Sequence, residues 1–105
     1  MEDKELLELA AKAAGYTLVW SSVDGIPPRK ADDMETWNPL TDDGDALRLA
    51  AKLELEIQIF HGYGEVWADS LDGSVRGIAD VTGDRASDYR NAIVIAAAEI
   101  GRAMK

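Results

Sequence analysis

The sequence predicts a single α+β domain over residues 1–105. We expect a small sandwich of element order αβαβββα, in which a mostly antiparallel four-stranded sheet packs with three helices. Residues 3–14 carry apolar side chains on one helical side, residues 54–59 alternate strictly between polar and apolar, and residues 92–98 are apolar throughout. A chain of 105 residues can also bury one core without disulfides or metals.

The first predicted helix runs from about Asp3 to Ala14, with Leu6 and Leu7 on its apolar side. Gly15 follows as the residue that ends the helix, because glycine adopts a left-handed conformation at little cost. Residues 16–21 are β-branched and aromatic and predict a strand at one side of the sheet.

Residues 24–40 form a long connection that we expect to be a flexible loop. Pro27 and Pro28 exclude a helix there, since each ring removes a backbone donor and restricts the preceding residue. A connection of this length in a compact domain usually carries function or is mobile. It is therefore the predicted place of contact with a partner or ligand.

A second helix is predicted to begin at a cap formed by Thr41 or Asp42 and to run to about Leu53. The carboxylates of Asp42, Asp43 and Asp45 favour the positive end of its dipole. The same acids could ligate a hard cation, but a glycine falls between them and the spacing differs from a calcium-binding loop. We predict no metal site.

Three strands are predicted after this helix. Residues 54–59 alternate, with one set apolar (Leu55, Ile57, Ile59) and the other polar (Glu54, Glu56, Gln58). Residues 61–64 and 71–74 read as turns, so that residues 65–70 and 75–81 complete an antiparallel meander. The polar set favours a solvent-exposed sheet face, which leaves a two-layer arrangement open beside a sandwich covered on both faces.

The last helix is predicted to start near Asp84 or Ser87 and to reach the C-terminus. Its segment Ala92–Ala98 is apolar on all sides, which requires cover from more than one direction. We therefore expect it to be the central, most buried element.

Charge and composition exclude several classes of protein. Twenty acidic residues against 11 basic ones give a net charge of −9, which disfavours nucleic acid and anionic membranes as partners. The absence of cysteine removes disulfides and thiolate catalysis. The acidic start Met1–Glu5 has no apolar signal-peptide core, so a cytoplasmic location is expected.

No catalytic or cofactor motif is present. The single histidine, His61, lies in a glycine-flanked turn, and the chain has no nucleophile elbow, P-loop or dinucleotide-binding glycine pattern. Nucleophilic catalysis needs a positioned base beside the nucleophile. We therefore predict no catalytic residue, no cofactor and no enzymatic activity.

Several segments together resemble the phage ABA sandwich domain family, small proteins of tailed phages and prophages. The segments are residues 37–50 (WNPLTDDGDALRLA), 90–94 (RNAIV), 96–101 (AAAEIG) and 5–16 (ELLELAAKAAGY). The resemblance spans most of the chain and implies an α/β sandwich encoded by a phage and acting in the host cell cytoplasm. It implies no catalytic mechanism.

Two functional hypotheses follow. The first is a non-enzymatic phage or prophage accessory protein that binds a host or phage protein with a basic surface. Its predicted partner-binding residues are Asp32, Asp33, Glu35, Trp37 and Asp43. The second is a small-ligand (nucleotide-like) binder or weak hydrolase built on residues 24–45 together with Arg48. The sequence leaves monomer and homodimer open.

Overall fold

The computed structural model of the chain describes residues 3–104 and contains three helices and two antiparallel sheets. The elements in chain order are α1 (Asp3–Ala14), β1 (Leu18–Val19), β2 (Arg29–Lys30), α2 (Asp43–Lys52), β3 (Glu56–Phe60), β4 (Glu65–Asp69), β5 (Arg76–Asp80) and α3 (Arg85–Ala103). These elements confirm the α+β class and the three helices. Met1 and Glu2 of the predicted acidic start, and Lys105 at the predicted end of the last helix, lie outside the described residues.

The predicted four-stranded sheet is not found. The strand expected over residues 16–21 is reduced to β1, which pairs with β2 in a two-stranded sheet, while β3, β4 and β5 form a separate three-stranded sheet. The element order is therefore αββαβββα. Closing the short connection from β1 to β2 costs less chain entropy than reaching the distant meander, and the amide of Ala31 extends the pairing by donating to the carbonyl of Thr17 at 2.8 Å.

The meander has the predicted two-sided character. In its register Ile57 lies opposite Ala68, and Ala68 lies opposite Gly77, so these residues share the inner face. Val66 and Ala68 are fully buried, whereas the alternate residues of β3 and β5 point to the other side and are mostly exposed. The period-2 pattern of residues 54–59 is confirmed.

Helix α3 lies between the sheet and the other two helices. Ala92 and Ala96 pack into the cluster formed by the inner sheet residues. Ile93 and Ala97 pack on the opposite side, in a cluster with the apolar residues of α1, α2 and Trp37. The prediction of a central helix covered from more than one direction is therefore confirmed.

Two glycines allow α3 to approach its neighbours closely. A Cβ added at Gly77 would lie 2.9 Å from the Cα of Ala96, with backbone atoms of Ala92 closer still. A Cβ added at Gly101 would lie 2.8 Å from the carbonyl carbon of Leu9 in α1. Backbone atoms cannot turn away as a side chain can, so both helix contacts depend on the missing side chain.

Only one face of the meander is covered. Most helical contacts to the sheet come from α3, which packs on β4 and β5 from the inner side, and Ile57 of β3 also packs against the cluster that contains α2 residues. On the other side Tyr63 is 74% exposed and Ile78 is 42% exposed. The arrangement is thus sheet, α3, then α1 with α2, rather than a sheet between two helical layers. Among residues 3–104, no helix combines the length and the apolar character that crossing a bilayer requires.

Candidate functional site

The acids at the start of α2 all have partners within the fold. Asp42 is the N-cap, as predicted, and its carboxylate accepts from the amide of Asp45 at 2.7 Å. Asp43 forms an ion pair with Arg90 of α3, and the Arg90 Nε donates to the carbonyl of Leu40 at 2.9 Å. These bonds fasten the start of α2 to α3.

Asp45 connects the loop to α2. Its buried carboxylate accepts from the amide of Asn38 at 2.9 Å and from the guanidinium of Arg48 at 2.8 Å. The bond to Asp45 raises the pKa of Arg48. Asn38 in turn accepts from the amide of Leu40 at 3.1 Å, the local bond that favours asparagine in turns. Within residues 3–104, no three histidine, aspartate or glutamate side chains gather as a metal site.

Trp37 belongs to the core. It is 3% exposed, its amide donates to the carbonyl of Pro28 at 2.9 Å, and its ring meets that of Tyr16 edge-on at 5.7 Å. Trp37 therefore fixes the loop against the helices. Its burial removes it from the surface that a partner could reach.

The predicted acidic residues of the loop lie at its tip, residues 31–35. Asp33 pairs with Lys30 at 3.1 Å and accepts from the amide of Glu35 at 2.9 Å. The hydrogen bond from the Glu35 amide is the larger cause that lowers the pKa of Asp33, and the bond with Lys30 is the second. Asp32 and Glu35 are exposed and form no ion pair among the described residues. The tip thus presents two free carboxylates.

The cations in and beside the loop, Arg29, Lys30 and Arg48, each contact another group of the chain. The guanidinium of Arg29 donates to the carbonyl of Met34 at 2.8 Å, and Lys30 and Arg48 pair with the acids described above. A polar pocket of about 400 Å³ lies between the loop and α2, but the carboxylates of Asp42 and Asp45 line it. A phosphate-bearing ligand would meet negative charge there.

Asp88 is a buried carboxylate that the sequence did not single out. It is fully buried at the start of α3 and accepts from the hydroxyl of Thr82 at 2.6 Å and from its amide at 2.8 Å. The Thr82 hydroxyl, then its amide, lower the pKa of Asp88. Thr82 precedes the N-cap Asp84 by two residues. A threonine just before the predicted start of α3 was the sequence signal that could have pointed to a bonded carboxylate at Asp88. His61, by contrast, is exposed in the turn after β3.

An apolar groove of about 410 Å³ runs between α2 and α3. Leu47, which is 70% exposed, and Tyr89 form its rims, and Ile57 lies at its floor. The ion pair between Asp43 and Arg90 closes one end. Because the lining is otherwise apolar, the groove lacks an acid–base pair for chemistry.

The uncovered side of the meander carries an aromatic cluster. We name as the outer sheet face the side chains of Phe60, Tyr63, Trp67 and Ile78. The rings of Phe60 and Trp67 are 4.3 Å apart between centroids, and the ring of Tyr63 lies nearly parallel to that of Trp67 at 6.4 Å. No local sequence pattern brings these rings together, because Tyr63 lies in a turn rather than in a strand.

Charged residues flank the outer sheet face in two cross-strand rows. In one row Glu56 lies opposite Asp69, and Asp69 lies opposite Arg76, whose guanidinium both bonds Asp69 at 2.8 Å and covers the ring of Trp67 at 3.9 Å. In the other row, Glu65 lies directly opposite Asp80. No described cation pairs with either of those two carboxylates.

No protein-family model matches the chain, and no curated protein or solved structure is significantly similar to it.

Proposed function

We propose that the chain is a non-enzymatic protein-interaction module, a small acidic accessory protein of phage or prophage origin. Its partner is a host or phage protein with a basic surface, met in the cytoplasm of the host cell. The phage origin rests on the sequence resemblance alone. The interaction rests on the distribution of charge over the folded chain.

One observation carries the proposal: every described cation has a contact within the chain, whereas several exposed carboxylates have none. Every basic side chain in residues 3–104 contacts an acid, a backbone carbonyl or an aromatic ring of the same chain; they are Lys4, Lys12, Arg29, Lys30, Arg48, Lys52, Arg76, Arg85, Arg90 and Arg102. Over the same residues, several exposed carboxylates neither accept a hydrogen bond nor form an ion pair, among them Asp24, Asp32, Glu35, Glu54 and Asp80.

The net charge of −9 and these exposed carboxylates therefore favour a positively charged partner. Complementary charge speeds association and rejects wrong partners, and it is screened over about 10 Å at 0.1 M salt. A partner selected in this way carries lysine and arginine at its binding surface. The predicted loop-tip acids contribute through Asp32 and Glu35, whereas Trp37 contributes only by holding the loop.

The test is capture followed by kinetics. The chain is immobilised, a bacterial lysate is passed over it, and association of the purified captured protein is measured at about 50 mM and about 300 mM NaCl. We expect the association rate to fall about tenfold or more across this range, while the dissociation rate changes less. A partner whose association ignores salt, or capture no stronger than on a matched neutral surface, would refute the proposal.

A further inference from the structure

The outer sheet face is rich in aromatic and apolar side chains, yet part of it is exposed to solvent. Phe60, Trp67, Tyr63 and Ile78 form one continuous apolar surface, and each of the last two is more than two-fifths exposed, at 74% and 42%. Aromatic side chains are the residues that most often anchor protein partners, since each buries a large area and loses little rotamer freedom. Helix α3 packs on the inner residues of the meander, and at the β5 edge its residues Ile95 and Glu99 line a pocket together with Ile78.

A cation of the chain itself already lies on this surface. Arg76 lies over the ring of Trp67 at 3.9 Å while its guanidinium donates to Asp69 at 2.8 and 3.3 Å. A planar cation is thus held between an aromatic ring and a carboxylate, an arrangement in which arginine gains from both the ring and the charge. The second acid of this row, Glu56, lies opposite Asp69.

The second row repeats this arrangement without a cation. Phe60 lies opposite Glu65, Glu65 lies opposite Asp80, and the exposed ring of Tyr63 is in contact with Phe60 and Trp67. Like charges directly across a strand pair destabilise a sheet. The indole Nε1 of Trp67 donates a hydrogen bond to one carboxylate oxygen of Glu65 at 3.0 Å, and the other oxygen of this carboxylate has no such bond. The ring of Tyr63 and the carboxylates of Glu65 and Asp80 are therefore available to a cation of another protein.

We propose that the outer sheet face docks an arginine- or lysine-bearing segment of a partner protein, with a partner cation over Tyr63 and between Glu65 and Asp80. The proposal rests on the proposed function and gives it a location. The same charges disfavour a nucleic acid as the occupant, because its phosphates would meet these carboxylates.

The test uses a defined probe, an alternating glycine–arginine octapeptide, and its analogue with citrulline in place of arginine. The ¹⁵N-labelled chain is titrated with each at about 150 mM NaCl. We expect the arginine peptide to shift the indole resonance of Trp67 and the amides of Tyr63 and Ile78. The indole resonances of Trp20 and Trp37 should stay in place, and the citrulline peptide should shift none of them.

Two matched variants locate the binding. Glu65→Gln/Asp80→Asn and Asp32→Asn/Glu35→Gln each remove two negative charges, from the outer sheet face and from the loop tip respectively. We expect the first to weaken peptide binding about fivefold or more and the second by less than about twofold. The first should also melt at an equal or higher temperature, because it relieves a like-charge pair.

Tyr63→Ser separates the ring from the charges. The side chain is mostly exposed, so the fold should tolerate the change, and peptide binding should weaken about threefold or more. Equal losses in the two charge variants, shifts centred on residues 31–35, or no binding of the arginine peptide would overturn the docking surface. The proposed function would still stand if the captured partner keeps its salt dependence, and the partner's indifference to Glu65→Gln/Asp80→Asn would then refute the location alone.

Discussion

Asp88 illustrates, at the scale of single residues, how a carboxylate can be stabilised in the interior of so acidic a chain. It is fully buried, and both of its oxygens accept from Thr82, at 2.6 and 2.8 Å. Arg85 adds an ion pair at 3.6 Å. Hydrogen bonds to the ionised form offset the cost of burial, so the pKa of Asp88 is lowered rather than raised.

The lowered pKa makes stability depend on pH. Since the pKa of Asp88 is lower in the folded chain than in the unfolded chain, its contribution is present above about pH 4 and is lost as the pH falls through the folded pKa. Thr82→Val removes the hydroxyl, the largest cause of the shift. We expect the pKa of Asp88 to rise and the free energy of unfolding to fall less steeply on acidification than in the parent chain.

This prediction is checked by urea unfolding at several pH values and by NMR titration of the carboxyl groups. Asp72 is an internal reference, because the amide of Ser74 lowers its pKa to about 2 independently of Thr82. Thr36→Val, at an exposed threonine, controls for the loss of a hydroxyl elsewhere. Parallel stability curves for Thr82→Val and the parent would contradict the assignment.

Some residue roles could be predicted from sequence and others could not. The N-cap Asp42 was accessible because capping is a local preference, readable from the residues that follow. The burial of Asp88 was not, since it depends on which distant segments cover it. The pairing of Asp43 with Arg90 joins residues far apart in the chain, and no local rule connects them.

At the scale of elements, the crossing of α3 over β5 is one of two close backbone contacts. The backbone of Ala92 and Ala96 occupies the space that a Cβ at Gly77 would need. Gly77→Ala must therefore shift the helix from the sheet, which we expect to cost about 1–3 kcal/mol of unfolding free energy. Gly62→Ala, at a turn glycine with open space around its Cβ position, is the matched control and should change stability by less than about 0.5 kcal/mol.

Chemical denaturation of the two variants measures this difference. Equal stability of Gly77→Ala and the parent would show that α3 can move away from β5 without loss, contrary to the tight packing described here. Gly101→Ala repeats the test at the crossing of α3 with α1, where the backbone of Leu9 lies against the glycine.

Element prediction succeeded where the pattern was long. The helices and the meander have clear apolar periods, and residues 92–98 could be assigned to the centre from their composition alone. The strand β2 has only two residues and directly follows Pro27 and Pro28, so it is too short to show the alternation of polar and apolar residues that predicts a strand. Without β2, the only sheet available for β1 was the meander, which explains the incorrect four-stranded prediction.

At the scale of the whole molecule, the chain carries a net charge of −9, with 20 acidic residues against 11 basic ones. Repulsion among the remaining carboxylates opposes the folded state. Raising NaCl from about 20 mM to about 300 mM screens this repulsion, and we expect the melting temperature to rise by a few degrees. Scanning calorimetry over this series gives the measurement.

A variant with less negative charge provides the control. Glu54→Lys/Asp80→Lys brings the net charge closer to zero at two exposed sites without an ion pair, and its melting temperature should rise less with salt. A melting temperature that falls with salt in the parent chain would show instead that the internal ion pairs outweigh the repulsion.

The position of α3 also bears on how the chain is made. Both apolar clusters include residues of this helix, and the sheet on one side has few contacts with α1 and α2 on the other. During synthesis, α1, β1, β2, α2 and the whole meander are made before residues 85–103. Until then neither cluster can close, so the nascent chain exposes the inner face of the meander and the apolar side of α1 together. We therefore expect the two clusters to form only after residues 85–103 have been synthesised. Before that point, chaperones that bind apolar stretches can bind the exposed residues of this chain.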